Sequence, residues 1–185
     1  MSKIHTLLGS VSSPQQNDRV KIIASRADFL TPEECERVIA LGELFKQEVG
    51  TLGAGETVKQ STRRSNVTYL MHTKDTSWLY DKLGQAIQAV NADAYHYSLI
   101  GIEAIQLAVY EEGDHYDWHQ DLGVGENSTR KLSISIQVSA PEDYEGGDLE
   151  FFKVPDATTR QRGSVIFFPS FLHHRITPVT RGRRY

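Results

Sequence analysis

The sequence predicts an α+β fold in which helices from the first half pack on one face of an antiparallel β-roll made by the second half. Residues 1–94 carry two stretches with apolar residues at helical spacing, Cys35–Phe45 and Trp78–Val90. Residues 95–185 carry short β-rich runs divided by turn residues, with no helical pattern between them. A chain of 185 residues suits one domain with a sizeable core. Residues 1–185 therefore read as a single domain, with 1–94 as helical support and 95–185 as the roll.

The first 18 residues are polar and read as a loosely held segment with a short strand at Ile4–Leu8. Val20–Ala24 reads as a strand. A helix start follows, with Thr31 as N-cap, Pro32 at the first helical position and Glu34 able to close a capping box. Cys35, Val38, Ile39, Leu41, Leu44 and Phe45 carry the helix to about Glu48, where Gly50–Gly55 begins a loop. Arg63-Arg64 leads into a strand at Val67–Met71 and reads as a solvated edge. A role at a substrate mouth is the alternative. A second helix runs from Thr76 to about Asp93, and Gly84 does not break it. The strands expected after it are Tyr95–Tyr97, Ile100–Tyr110, Leu132–Ser139, Leu149–Phe152, Val165–Phe168 and Leu172–Ile176.

Composition narrows the function classes. With 39% hydrophobic and 24% charged residues the chain is neither disordered nor membrane-like. It has no long uncharged apolar run, so no transmembrane helix is expected. No basic region leads into an apolar segment at the start, so no secretory leader is expected. The net charge of −4 gives no support for a nucleic-acid partner. Cys35 is the single cysteine, so no internal disulfide can form, which fits a reducing, cytoplasmic setting. Cys35 reads as a small buried side chain rather than a reactive thiol.

Leu132, Ile134, Ile136 and Val138 alternate with Ser133, Ser135, Gln137 and Ser139. A half-buried strand puts the serines in water, whereas a barrel with a polar interior puts them around a ligand. Alternation does not choose between these.

The densest run of ligand-type residues is His115–Asp121. His119 and Asp121 stand two apart, so on a strand they share a face. His173 and His174 follow just over fifty residues later. Two histidines and one carboxylate with open positions make the facial triad of non-haem Fe(II) oxygenases. A lone His-x-Asp is weak evidence: His119 could be a surface residue and Asp121 a turn former. Ten residues after His174 comes Arg184, which in a fully extended chain lies roughly 33 Å away. If Pro178–Gly182 turns the chain back, Arg184 comes near the metal. A buried guanidinium needs a carboxylate partner, and a metal-bound keto diacid would offer its distal one.

Taken together these residues resemble the 2-oxoglutarate- and Fe(II)-dependent dioxygenases of the prolyl 4-hydroxylase-like group. The matching residues are Tyr110, Gly113, Tyr116, His119, Asp121, Arg130–Ser139, Tyr144–Leu149, Gly163–Pro169, His174, Pro178-Val179, Gly182 and Arg184, over about residues 102–185. The resemblance implies a double-stranded β-helix, or jelly-roll, as the catalytic core. It implies His119, Asp121 and His174 as catalytic iron ligands, Arg184 as partner of the 2-oxoglutarate distal carboxylate, and Tyr110 as a hydrogen-bond donor to it. Gln137 and Ser135 are further candidates for that pocket. The implied cofactors are Fe(II) and 2-oxoglutarate, with ascorbate as an accessory. The implied reaction uses O2 to hydroxylate an unactivated C–H bond of a peptidyl substrate, such as a prolyl residue, or of a small molecule, releasing succinate and CO2.

Trp118 lies between ligand positions and should face away from the metal, Tyr116 reads as core or pocket wall, and His115 as a loop residue. The sequence ends at Tyr185, where the family's closing strand normally continues, so a poorly fixed Arg184 is an expectation. The pocket mouth is expected from Leu52–Gln60, Arg63–Asn66 and Leu122–Thr129. Two other readings use the same residues: a non-catalytic cupin-like binding module, and a slow iron or oxygen sensor.

Overall fold

The computed structural model describes residues 22–44, 48–49, 62–155 and 158–185. The strand expected at Ile4–Leu8 and the segment Leu52–Gln60 lie outside them, as do Val20 and Lys21; of the strand expected at Val20–Ala24, Ile22 and Ile23 are not in a strand and only Ala24 is. The elements in chain order are β1 (Ala24–Arg26), α1 (Pro32–Leu44), β2 (Glu48–Val49), β3 (Arg63–Arg64), β4 (Asn66–Leu70) and α2 (Ser77–Val90). Then come β5 (Ile105–Val109), β6 (His115–His119), β7 (Leu132–Ile136), β8 (Tyr144–Gly146), β9 (Leu149–Phe151), β10 (Val165–Pro169), β11 (His174–Ile176) and β12 (Val179–Gly182). Among the described residues no helix is long and apolar enough to cross a membrane.

The start of α1 follows its capping chemistry. Thr31 N–H donates to Glu34 Oε2 at 2.8 Å and Glu34 N–H donates to Thr31 Oγ1 at 3.2 Å. The same carboxylate accepts from Lys82 Nζ of α2 at 2.6 Å, so one side chain caps α1 and ties it to α2. Cys35, Val38 and Leu41 form the buried stripe. The helix is described as far as Leu44 and residues 45–47 lie outside the described residues; Glu48, where the helix is expected to end, instead lies in β2, which pairs with Val67 and Asn66 of β4.

A second departure follows α2. Residues 91–95 form a π-turn and His96 sits in the left-handed region at φ 55°, so the strand expected at Tyr95–Tyr97 is absent. Tyr95 is buried here and its hydroxyl donates to the Phe167 carbonyl at 2.7 Å. Its aromatic character reflects burial, not an extended backbone. The strand expected from Ile100 starts at Ile105, and Ile100 is exposed.

β10 is central. It pairs antiparallel with β1 and β7, and all five of its residues are buried. Val165 and Phe167 face the helices with Phe29, Cys35, Val38, Leu79 and Leu83. Ile166 and Phe168 face the roll interior with Tyr110, Leu149, Phe151, Ile176 and Val179. Each such large apolar side chain contributes roughly 1.5–3 kcal/mol by burial. The opposing sheet runs β3-β6-β11-β9, β12 pairs with β8, and β4 joins β2 to β5. Helices thus cover one face of a double-sheet roll.

Gly163 joins the two layers. It sits at φ +80° with room for no side chain, since a Cβ there would come 2.0 Å from the Leu30 carbonyl oxygen. Its own carbonyl accepts from Phe29 N–H and Leu30 N–H, both at 2.9 Å, which fixes the approach to α1. The roll places the ends of β6 and β11 side by side.

Candidate metal centre

The pairing of β6 with β11 is irregular. His174 opposes His119 and Ile176 opposes Tyr116, so Arg175 faces two residues, Asp117 and Trp118. This is a β-bulge. In a regular strand Tyr116 and His119, three apart, face opposite sides. Across the bulge both point into the roll, with rings stacked at 3.4 Å and 11° between planes. Trp118 turns outward, edge-on to Phe152 at 5.7 Å and under the Arg175 guanidinium at 4.7 Å. It faces away from the site, as expected. His115 lies in β6 opposite Arg64, not in a loop.

His119, Asp121 and His174 come together, with one donor atom of each within 4.8 Å of the others. Strand alternation is not what brings Asp121 there, because β6 ends at His119. Asp121 and Leu122 donate their N–H groups to the Ser170 carbonyl at 3.0 and 2.9 Å, and this clasp turns the carboxylate inward. One carboxylate oxygen faces each ring: His119 Nε2 is 3.8 Å from Oδ1 and His174 Nε2 is 3.7 Å from Oδ2.

Both imidazoles are oriented from behind. His119 Nδ1–H donates to the Asp117 carbonyl at 2.8 Å and His174 Nδ1–H to the Leu172 carbonyl at 2.9 Å. A carbonyl only accepts, so each Nδ1 carries the proton and each Nε2 lone pair is free to ligate. The His174 ring is buried against Phe168 at 4.8 Å. Burial, with the neighbouring His174 adding to it, pushes the His119 pKa down to about 4. The ring is therefore neutral, the form that binds metal, near pH 7. Two imidazoles held through Nδ1 and one carboxylate facing a shared point fit a divalent ion with open positions. His173 is exposed and packs on Phe152 on the outer face, 6.5 Å between rings.

A cavity inside the roll is lined by Ser135, Gln137, Tyr144, Ser164, Ile166 and Arg184 among others. The β7 alternation is thereby resolved: Ser135 and Gln137 face the cavity, while Leu132, Ile134 and Ile136 pack toward the helices. Arg184 is firmly held, contrary to the expectation from its place near the chain end. It is 6% exposed, and it exchanges backbone hydrogen bonds with Tyr110 at 2.8 and 2.9 Å. Its NH2 reaches Gln137 Oε1 at 3.4 Å, and Gln137 Nε2 donates to the Tyr144 hydroxyl at 3.0 Å. The Arg184 Nε and the Ser164 hydroxyl are buried with no hydrogen-bond partner among the described residues. Unpaired donors of this kind fit a carboxylate ligand. Gly147 leaves room for them, since a Cβ there would sit 3.0 Å from Arg184 Cδ. Tyr110 is buried, with its ring 5.5 Å beneath the Arg184 guanidinium.

Two pocket residues, Tyr144 and Ser164, have no role in the sequence reading. Tyr144 and Ser164 lie in runs whose apolar or turn character hid them. For Arg63 the structure departs from the solvated-edge reading and leaves the substrate-mouth alternative: it is 7% exposed, donates to Ser65 Oγ at 2.8 Å and lies 4.6 Å over the Tyr116 ring. Arg64 is the exposed member, paired to Asp114 at 2.9 Å. Strand alternation was the available signal, since adjacent residues point to opposite faces. Residues 122–129 form an exposed loop with a short turn at Gly125–Thr129.

The sequence profile of the 2OG-Fe(II) oxygenase superfamily matches residues 105–185. A PKHD-type hydroxylase of Gloeothece citriformis is 31% identical over 165 residues, covering 84% of this chain and 71% of that protein. The chain belongs to the 2OG-Fe(II) oxygenase superfamily. A PKHD-type hydroxylase of Hyphomonas neptunium is 40% identical over 80 residues, but the match spans 40% of this chain and only 36% of that protein. Two solved structures share the double-stranded β-helix fold of this superfamily. One is a prolyl hydroxylase of Trichoplax adhaerens in complex with a peptide fragment of hypoxia inducible factor, with TM-score 0.72 and 17% identity over 91% of this chain and 81% of that one. The other is a viral collagen prolyl hydroxylase of Paramecium Bursaria Chlorella virus-1, with TM-score 0.68 and 22% identity over 89% and 92%. The superfamily is defined by Fe(II) and 2-oxoglutarate, and the triad and the unpartnered Nε of Arg184 fit both.

Proposed function

We infer that this chain is an Fe(II)- and 2-oxoglutarate-dependent hydroxylase. His119, Asp121 and His174 hold the iron, and Arg184 takes the distal carboxylate of the co-substrate. The observation that carries the reading is the triad itself: three donor atoms within 4.8 Å, with both imidazoles fixed through Nδ1 so that Nε2 faces the shared point. When bound, Fe(II) and 2-oxoglutarate use O2 to convert the co-substrate to succinate and CO2 and to place one oxygen in an unactivated C–H bond.

The protein's part is geometry, charge and exclusion of water. The Asp121 carboxylate offsets one of the two metal charges, which leaves the centre attractive to a second anion. Tyr116 holds the His119 ring flat, and Phe168 and Phe151 wall His174 away from solvent. Gln137 and Tyr144 set the guanidinium of Arg184. Arg63, stacked on Tyr116 beside the triad, is placed to meet a carbonyl or carboxylate of an incoming substrate.

The substrate we favour is a peptidyl prolyl residue. Support comes from the two fold neighbours, both prolyl hydroxylases and one bound to a peptide. The unpaired, buried Cys35 and the net charge of −4 support a cytoplasmic setting without a nucleic-acid partner. The test is succinate release by Fe(II)-loaded protein against a panel of prolyl peptides, free amino acids and small metabolites. One-to-one coupling of succinate to a peptide gaining one oxygen supports the reading. Coupling to a free amino acid alone keeps the enzyme and rejects the peptide.

A further inference from the structure

The cavity that receives Arg184 has a second arginine in its wall. Arg160 lies on the connection between β9 and β10 and lines the same cavity. We propose that Arg160 is a second anion-binding arginine of the co-substrate pocket, closing with Arg184 on the distal carboxylate of the 2-oxo diacid. The proposal rests on the co-substrate reading above and adds a residue to it.

The two guanidiniums are prepared in the same way. Arg160 NH2 donates to the carbonyls of Tyr144 at 2.9 Å and Gly146 at 3.2 Å, and its guanidinium lies 4.3 Å over the Tyr144 ring. The Tyr144 hydroxyl is bonded to Gln137, which reaches Arg184 in turn. Each arginine is therefore tied at one end through a shared pair of residues. On each, the Nε is buried and has no hydrogen-bond partner among the described residues. A buried donor left in that state is costly unless a ligand brings the acceptor.

Charge agrees. Asp148 is the only acid among the described residues lining the cavity, and its Oδ1 is 3.7 Å from Arg160 Nε, in ion-pair range but too far for a hydrogen bond. Asp148 is also 44% exposed, so water screens it. Two arginines and one aspartate leave one net positive charge, which one carboxylate neutralises.

Position agrees as well. Ser135 and Ile166 line the cavity. Two residues further along the same face of β10 is Phe168, whose ring is 4.8 Å from His174. Two strand residues rise about 7 Å. The arginine-lined cavity and the triad thus share one inner wall of the roll, along β10.

The test uses full-length protein loaded with Mn(II), which binds without turnover, and calorimetric titration with two ligands. 2-Oxoglutarate has the distal carboxylate, whereas oxalate chelates the metal and has none. Arg160→Gln is expected to weaken 2-oxoglutarate about 10-fold or more while leaving oxalate affinity unchanged. Arg160→Lys should recover part of the loss. Unchanged 2-oxoglutarate affinity in Arg160→Gln overturns the proposal, as does an equal loss for both ligands, which marks a structural role. If the wild type takes oxalate but not 2-oxoglutarate, or Arg184→Gln binds 2-oxoglutarate as tightly as wild type, the co-substrate reading fails and takes this proposal with it.

Discussion

Tyr116 lies flat against His119, with ring centroids 3.4 Å apart and planes 11° from parallel, although the two residues are three apart on one strand. Only the bulge at Asp117-Trp118 allows this. The stack holds one face of the imidazole while the Asp117 carbonyl holds its Nδ1. Tyr116→Ala should therefore loosen His119 and weaken Mn(II) binding by roughly 10-fold, the scale seen for groups that orient metal ligands. Tyr116→Phe keeps the ring face and should bind metal as wild type does. Titration of both variants by electron paramagnetic resonance decides it. Equal metal affinity in Tyr116→Ala would show that the stack orients nothing.

Asp121 and His173 make a second contrast. Asp121 supplies the carboxylate that faces both Nε2 atoms, while His173 packs on Phe152 outside the roll. Asp121→Ala should lower metal affinity by at least about 100-fold, more than loss of an outer partner, and abolish Fe(II)-dependent turnover. His173→Ala should keep both. The opposite pattern would mean that His173, not His174, completes the site.

Glu34 gives a pH-dependent prediction away from the site. The Lys82 hydrogen bond, aided by the Thr31 amide and opposed by partial burial, holds its carboxyl below the ordinary 4.5. A depressed carboxylate adds stability above the unfolded value, and that stability is lost as pH falls through the folded one. Glu34→Gln should cost about 1 kcal/mol at pH 7, or roughly 3 °C in Tm. The gap between the two melting curves should close as pH drops below 4.5. A gap that stays constant with pH would remove the charge from the account of this cap.

Gly163 tests the joint between layers. Alanine there combines φ +80° with a Cβ 2.0 Å from the Leu30 carbonyl oxygen. Gly163→Ala should destabilise by about 2–4 kcal/mol, read as a shift in the denaturation midpoint. A loss below about 0.5 kcal/mol would mean that the Phe29–Leu30 segment yields easily.

Much of this was legible in the residues. Thr31-Pro32-Glu33-Glu34 named its own helix start because capping is local chemistry. The triad and Arg184 were legible by type and order. Three kinds of fact were not. The Asp117-Trp118 bulge depends on the β11 register, which no periodicity within β6 reveals. Tyr95 looked like a strand residue because aromatic enrichment signals burial, and burial here comes through a π-turn beneath β10. The inward side of Ser135 and Gln137 depends on which face of β7 the helices cover. Arg63 lay between these cases, since alternation required one of Arg63-Arg64 to face inward but did not say which.

His119, Asp121 and His174 would hold Fe(II), and the bound iron would take 2-oxoglutarate. The most direct measurement is the visible absorption spectrum of the full chain under anaerobic conditions, with Fe(II) added first and 2-oxoglutarate second. Bidentate chelation at this centre predicts a weak charge-transfer band that appears only with both present, saturates at one equivalent of iron and is absent in Asp121→Ala. A wild-type solution that stays colourless with both bound, or a band that persists in Asp121→Ala, would contradict it.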